Sequence, residues 1–591
     1  MPLLTDRKTQ PQYDVIVVGS GAGGGMAALI LALHGVKVLM VEAGRNYEPA
    51  TETAMFNTPE MAPLRAEKNP DKPFGFYDAN VGGWQVPGEP YTNKDGTEGA
   101  FWWWRARMLG GRTNHWGRIS LRFGEFDFKP KSRDGLGVDW PMNYEDISPW
   151  YDRVEQLIGV YGENDGIPNA PNSSPGVLLP APKPRLGELM AKKSGKKIGV
   201  PIVAAHRAVL SQPLDWKNLP KQLFPNNPKA QEIIGKDMMM RAPCFWATDC
   251  LRGCSIRANF QSTTVLLPAA LATGNLDIIT DAMVREIVMK DGKASGVHYI
   301  DKKTRRDAVV KARVVIVAAS ACETARILLN SKSQDSSGLA NSSGQVGKNL
   351  MDSVGTKLGA HIPALEDAPL LNEDGAGGLH VYSPWWLVHE HKKLGFARGY
   401  HIEMGGGRKM PSVSGFSLLD QTSPGTYGSK LKEDARRYYG ASFSFSGRGE
   451  MVPNDDCYCE LDPKVVDQWG IPVLRFHWKW SDHEIKQAEH MQQTFAELIE
   501  GMGGKAKPQS GRDAIQRPGE IIHEVGCARM GSKAADSVTN QYCQTWDVKN
   551  LFLMDGAVMP SNPDKNPTLT IMALAWRSCE WLMGEMKAGS V

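Results

Sequence analysis

Two polar side chains late in the chain have the chemistry of an alcohol oxidation. His523 stands in the run His523-Glu524-Val525-Gly526-Cys527-Ala528-Arg529-Met530-Gly531, and Asn566 opens Asn566-Pro567-Thr568-Leu569-Thr570. An imidazole with its ordinary pKa of about 6.5 can take a hydroxyl proton at neutral pH, and an amide can hold the same hydroxyl in line. Removing hydride from the adjoining carbon needs an acceptor that neither residue supplies, so the pair implies a redox cofactor. A second reactive set is Cys244, Cys250 and Cys254, separated by five and three residues. Thiols this close in sequence can converge only on something small. Zinc would want a fourth ligand, for which Asp249 or His206 would have to serve. An iron-sulfur cluster with three protein ligands needs no more than these thiols. Three reduced thiols buried in the interior is the plain alternative.

The elements that must position these groups begin with residues 13–44. An apolar run at 15–18 meets Gly19-Ser20-Gly21-Ala22-Gly23-Gly24, an apolar helix follows, and a second apolar run ends at Glu42, which together make a βαβ unit. Gly19 permits the tight turn, Gly21 lets backbone approach a pyrophosphate, and Gly24 lets helix and strand pack closely. The helix N-terminus offers unpaired N–H groups to the anion. Glu42, 18 residues after Gly24, can accept hydrogen bonds from an adenosine ribose, which argues against a 2′-phosphate there. The unit does not itself choose between NAD and FAD. Further on, Gly110-Gly111-Arg112-Thr113-Asn114-His115-Trp116 follows three tryptophans, a density of glycines and aromatics that suits backbone wrapped around a flat cofactor or a packed aromatic turn. Residues 550–554 read as a strand ending at Asp555 and Gly556, which join the cofactor-binding candidates. Pro567 suits the first position of a helix running on through Thr568, with Asn566 as its cap or just before it. Such an N-terminus can face a flavin pyrimidine and stabilise the negative charge that hydride leaves there. This is the reason to prefer FAD to NAD.

From the turn at 110–116 onward the chain resembles the glucose-methanol-choline (GMC) family of flavoproteins. The resemblance spans most of the sequence and is densest at 13–45, 100–160, 243–352 and 521–585. Asn114-His115-Trp116 is similar to a triplet whose histidine carries the flavin covalently in the pyranose oxidases, which implies His115 as a candidate attachment point; in other members the flavin is only bound. The cysteine spacing is similar to that of iron-sulfur glucose dehydrogenase and glucoside 3-dehydrogenase catalytic subunits, which implies a 3Fe-4S cluster on Cys244, Cys250 and Cys254. His523 and Asn566 match the family's catalytic pair. Three departures stand out: Ser320 where a glycine is expected nearby, Ser353 in place of a frequent histidine after Asp352, and Cys527 where threonine is common. The resemblance implies an FAD dehydrogenase oxidising a ring hydroxyl of a sugar or glycoside, with C3 the expected position. Electrons would leave through the cluster to a c-type cytochrome or quinone. Gluconate, glucose or polyol dehydrogenases, a sugar oxidase using oxygen, and a flavin-binding protein without catalysis are the rival readings.

Composition bounds these readings. The chain has 591 residues and a net charge of +3, without a long basic run, so there is no electrostatic case for nucleic acid. No apolar run is long enough for a bilayer. The first residues, MPLLTDRKTQPQ, contain neither an apolar signal core nor twin arginines. Taken alone that favours the cytoplasm, while the resemblance implies export to the periplasm beside a small partner subunit bearing a twin-arginine signal. Nine cysteines, an odd number, do not suggest a disulfide framework. The expected fold class is α/β: a Rossmann-like FAD-binding domain (1–45, 100–160, 256–352 and 512–591) interleaved with an α+β substrate domain built on an antiparallel sheet (46–99, 161–255 and 353–511).

Overall fold

A computed structural model describes residues 4, 8–53, 82–94, 100–246, 250, 253–369, 379–390, 392–408 and 423–591. Much of the substrate-domain segment expected at 46–99, and the candidate zinc ligand Asp249, lie outside the described residues.

The βαβ unit forms as expected. Strand β1 (Tyr13–Val18) runs into helix α1 (Ala22–Leu33) and returns as β2 (Val38–Val41), with nearly every side chain of the three buried. The same sheet takes in β3 (Leu276–Ile279), β4 (Ala282–Lys290), β5 (Lys293–Asp301) and β6 (Arg306–Val317), in the order β3-β2-β1-β6-β5-β4. Strand β6 does two jobs. Its first half pairs antiparallel with β5, and its second half, Val314 to Val317, pairs parallel with β1. That second half is a continuous buried apolar run, as a strand covered on both faces requires. Helix α2 (Ala321–Asn330) follows it.

A second sheet is antiparallel and carries the polar floor of the site. It is built from β7 (Val354–His361), β8 (Val381–Ser383), β9 (Tyr400–Gly406) and β10 (Ser442–Gly449), in the order β7-β10-β9-β8, with the short strand Val203–Ala204 at its edge. β10 alternates buried and half-buried residues along its length, the period-two pattern of a sheet with one core face. Strands β11 (Tyr458–Val466) and β12 (Pro472–His477) pair in a smaller sheet, and helix α3 (Asp482–Gly501), opened by a Ser481/Glu484 capping box, covers the antiparallel sheet. The chain then returns to the first sheet as β13 (Leu551–Leu553), parallel to β6, and ends in α4 (Thr568–Ala588), which packs on α1.

The helix Ser148–Ile158 has Pro149 in its first turn, where a proline fits, and ends where Gly159 turns to φ +77°. The helix Leu267–Ala272 is preceded by a π-helical turn at Ser262–Leu266. Among the described residues no helix is long and apolar enough to cross a membrane.

The glycines of the first turn divide by function. A Cβ on Gly23 would lie 1.7 Å from the Met554 carbonyl oxygen, whereas one on Gly21 would meet nothing within 4 Å. Gly23→Ala should therefore lower stability by about 1–3 kcal/mol, seen as a lower urea midpoint. Gly21→Ala should leave the midpoint within about 0.5 kcal/mol of the parent and weaken dinucleotide binding instead.

Candidate active site

Where the two sheets and the start of α4 converge, a cavity of about 530 Å³ opens, within the range of cofactor and ligand sites. Gly19, Gly21 and Glu42 line one end, Gly111 and His115 the middle, and Asp555, Gly556, Pro567 and Thr568 another wall. His523 and Asn566 line it as well. Gly24, Gly110 and Asn114 stand just behind the lining. Gly24 lies against Gly19, where a Cβ would fall 2.0 Å from its carbonyl oxygen. Gly110, at φ +88°, donates its N–H to Ser20 Oγ at 2.8 Å, and Asn114 Nδ2 donates to the Leu109 carbonyl at 2.8 Å. These three shape the turns.

Glu42 carries a structural task the sequence did not suggest. Its carboxylate accepts Ser20 N–H at 3.0 Å, Ser20 Oγ–H at 2.5 Å and Gly44 N–H at 2.7 Å, which holds the glycine turn from below. Asp555 acts alike at the neighbouring crossover, accepting from Ser320 N at 3.0 Å, Thr324 Oγ at 2.5 Å and Ala557 N at 2.8 Å. Ser320 explains the absent glycine: it adopts φ +84°, a strained conformation for a side-chain-bearing residue. Asp555 holds its N–H, and Arg112 Nη2 donates to its Oγ at 2.7 Å. Arg112 also pairs with Glu524 and reaches the Ile522 carbonyl at 3.3 Å, tying the turn at 110–116 to the loop that carries His523.

His523 is oriented through every polar group it has. Its N–H donates to Asp352 Oδ1 at 2.8 Å, Nδ1 lies 3.0 Å from Ser353 Oγ, and Asn566 Nδ2 lies 3.3 Å from Nε2. An amide nitrogen donates, so Nε2 carries the lone pair and Nδ1 the proton. Burial pushes the imidazole down to about 3, with Arg448 adding to the shift and Glu403 opposing it. The ring is neutral at pH 7, the state a base needs. Ser353, noted in the sequence only as a departure, is thus the partner that fixes its tautomer. Asn566 immediately precedes Pro567, the cap of α4, and its Oδ1 is buried without a partner among the described residues. It is an acceptor left for a ligand to satisfy.

Two charged residues missed in the sequence complete the site. Glu403 on β9 and Arg448 on β10 form an ion pair of 3.1 Å in the cavity wall, and Asn566 Nδ2 lies 3.5 Å from Glu403 Oε1. Arg448 holds the Glu403 carboxylate far below the usual range despite its burial.

His115 is buried and neutral, pushed down to about 3 by burial and by the positive charges of Arg118 and Arg112. Trp104 Nε1–H donates to its Nε2 at 3.0 Å, so a flavin bond through Nε2 would displace that hydrogen bond. The cysteine segment lies apart from the cavity lining. Cys244 and Cys254 share a small apolar cluster; Cys244 Sγ accepts Trp246 N–H and Cys254 Sγ accepts Ala258 N–H, each at 3.3 Å. Burial and the neighbouring Cys250 and Cys254 thiols push Cys244 up to about 12. Even so, among the described residues no group of three or more His, Cys, Asp or Glu is placed to hold a metal ion. Cys527 does not reach the cavity: its Sγ lies 3.9 Å from Cys459 Sγ in the buried interior, with Cys322 beside it.

The cavity fits a flavin dinucleotide in its chemistry: an open space at Gly21 before a helix N-terminus, a second helix N-terminus at Thr568, and an orphaned acceptor on Asn566. Known proteins agree. The chain is 29% identical over 582 residues to 2-methyl-1,2-propanediol dehydrogenase of Mycolicibacterium austroafricanum, covering 97% of this chain and 95% of that one. It is 25% identical to the fructose dehydrogenase large subunit of Gluconobacter japonicus, covering 98% of each. In fold it is similar to a formate oxidase from Aspergillus oryzae RIB40, with TM-score 0.61 at 14% identity, over 98% of this chain and all of that one. The N- and C-terminal GMC oxidoreductase family profiles match residues 13–354 and 453–575, so the chain belongs to the GMC oxidoreductase family, and FAD is the cofactor this membership implies.

Proposed function

We propose that the chain is a dehydrogenase that oxidises a ring hydroxyl of a sugar or glycoside, at C3, to the ketone. FAD, when bound in the cavity, supplies the two-electron acceptor for the hydride. The observation that carries the reading is the neutral His523 with its Nε2 lone pair 3.3 Å from the Asn566 amide on the cavity wall. A substrate hydroxyl placed between them donates its proton to Nε2, while the Asn566 side chain keeps the carbinol carbon aimed into the cavity. Ser353 stabilises the imidazolium as it forms, by accepting from Nδ1. The first turn of α4, from Pro567 and Thr568, faces the negative charge that develops opposite. The ion pair of Glu403 and Arg448 offers donors and acceptors to further hydroxyls, which favours a polyhydroxylated ring over a simple alcohol. A small vicinal diol is the second reading, favoured by the relative that is named a propanediol dehydrogenase.

Cys244, Cys250 and Cys254 would hold an iron-sulfur cluster, which would supply a one-electron route away from the flavin. Backbone N–H donation to two of the three thiols supports this, since thiolates bound to iron gain from such donors. A cytochrome c or quinone would accept the electrons, with a small signal-bearing subunit carrying the folded catalytic chain to the periplasm. Iron and acid-labile sulfide measured on anaerobically purified protein should give about three irons per flavin; iron-free protein from cells competent in cluster assembly would move the oxygen-using oxidase reading to the front.

His523→Ala should retain flavin but slow its bleaching by sugar about 10²-fold or more in stopped flow. The pH dependence follows from the sign of the shift. An imidazole lowered to about 3 stays unprotonated well below the ordinary value, so the rate of bleaching should hold level from pH 8 to pH 5. A fall centred near the ordinary imidazole pKa of about 6.5 would place the base in a wetter environment than this cavity.

A further inference from the structure

The ion pair in the cavity wall is held more loosely than two charges would be if the protein alone had to satisfy them. Arg448 on β10 stands opposite His401 in the register, and Glu403 is two residues further along β9, so both side chains leave the same face of the sheet. Arg448 Nη1 donates to Ser446 Oγ at 2.6 Å and to the Gly447 carbonyl at 2.9 Å, which fixes the guanidinium. Its Nη2 lies 3.1 Å from Glu403 Oε2, and its remaining N–H donors have no acceptor among the described residues. Three groups approach the Glu403 carboxylate: Arg448 Nη2 at 3.1 Å, His401 Nε2 at 3.4 Å and Asn566 Nδ2 at 3.5 Å. A charge-assisted hydrogen bond of this kind is about 2.7–2.9 Å long, so none of the three is a full partner. Both side chains keep some exposure, 19% for Arg448 and 14% for Glu403, and both line the large cavity.

The place of the pair decides what it can touch. Asn566 Nδ2, which Glu403 Oε1 faces at 3.5 Å, also faces Nε2 of His523 at 3.3 Å. With the reacting hydroxyl at His523 and Asn566, the next acceptor along the wall is Glu403. In any polyol the hydroxyl nearest to the reacting one is on the adjacent carbon. A hydroxyl both donates and accepts, and the pair offers one partner for each role. Arg448 keeps the Glu403 carboxylate ionised, ready to accept the O–H, and the guanidinium has N–H groups to give to the oxygen. A substrate with only hydrogen at that carbon sets a C–H group against both charges where water stood, and polar groups left without partners in this way are costly.

We propose that Glu403 and Arg448 select substrates carrying a second hydroxyl on the carbon next to the one oxidised, that hydroxyl donating to the Glu403 carboxylate and accepting from the Arg448 guanidinium. The proposal rests on the reading of His523 and Asn566 as the place of oxidation. It narrows the substrate to vicinal diols, of which a sugar ring is one form, and disfavours alcohols whose second hydroxyl is absent or lies further along the carbon skeleton. Both residues bind the substrate, and neither takes part in breaking the C–H or O–H bond.

The test compares matched compounds by anaerobic stopped flow on the flavin-loaded protein: methyl β-glucoside with its 2-deoxy, 4-deoxy and 6-deoxy forms, and trans-1,2-cyclohexanediol with cyclohexanol. In the parent, losing the hydroxyl that faces Glu403 should lower the ratio of bleaching rate to half-saturating concentration about 10²-fold or more, while the 6-deoxy form stays within about threefold of the glucoside. The double variant Glu403→Leu with Arg448→Met removes both charges together, so that neither is left buried and unpaired, and should shrink the discrimination to about threefold. Glu403→Gln, which keeps the shape of the side chain, should shrink it about tenfold. The readout is a ratio between two compounds on one protein, which a loss of packing alone does not move. Equal bleaching by each diol and its deoxy partners in the parent, or discrimination that survives in both variants, overturns the proposal. Saturation-transfer NMR with the same compounds reads binding apart from bleaching. Preferential binding of the diols without any bleaching leaves the pair as the selector and fails the dehydrogenase reading; binding without preference, or no binding, overturns the proposal as well.

Discussion

The structure depends on keeping an imidazole uncharged in a dry, positively biased pocket. His523 is buried and faces Arg448 and Arg112, whose positive charges also disfavour its protonated form while the Glu403 carboxylate opposes them. Desolvation penalises the charged form of the ring and so makes a proton acceptor that acid does not easily silence. The same burial would leave the ring free to rotate or change tautomer if nothing held it. Asp352 fixes its backbone, Ser353 one nitrogen and Asn566 the other. Asp352 and Ser353 come from one stretch, about 170 residues before His523, and Asn566 from another, 43 residues after it, and the fold brings these parts together.

The two sheets divide that labour. The parallel half of the first sheet ends its strands at the glycine turn, at Ser320 and at Asp555, all at one edge of the cavity. Buried carboxylates, Glu42 and Asp555, brace the turns there by accepting backbone N–H groups that would otherwise be unpaired. The antiparallel sheet supplies the opposite wall, where alternation along β9 and β10 sends Glu403 and Arg448 to the site and keeps the intervening residues on the other face. Arg112 joins the halves through Glu524 and Ser320. The strain at Ser320, φ +84°, is thus held by bonds on both its N–H and its hydroxyl.

What could be read from the sequence was whatever depends on local order. The glycine turn and the apolar runs of β1, β2 and β6 depend on neighbours in the chain, and the structure places them as read; the Asn-Pro start of α4 is one residue later than read, with Pro567 as the cap and Thr568 the first helical residue. The roles of Ser353, Arg112, Glu403 and Arg448 depend on partners far off in the chain, 170 residues for Ser353 with His523 and 412 for Arg112 with Glu524. In the sequence, Glu403 is an ordinary polar position of an alternating strand; only the pairing of β9 with β10 and the arrival of Asn566 give it partners. The one available signal was at Ser353, where a departure from the expected histidine marked a position that had to do something. Cys527 sent a similar signal with a different outcome, since it faces Cys459 in the interior and contributes nothing to the cavity.

The central claim is that a ring hydroxyl loses hydride to the cofactor under His523. The most direct measurement is anaerobic titration of the flavin-loaded protein with a panel of cyclic sugars, glycosides and small diols, following flavin absorbance and identifying the product by NMR. The account predicts full bleaching by a cyclic sugar or glycoside, with one keto sugar oxidised at C3 formed per flavin reduced. Bleaching by small diols alone would move the substrate class to the second reading, and a flavin that no alcohol bleaches would contradict the account.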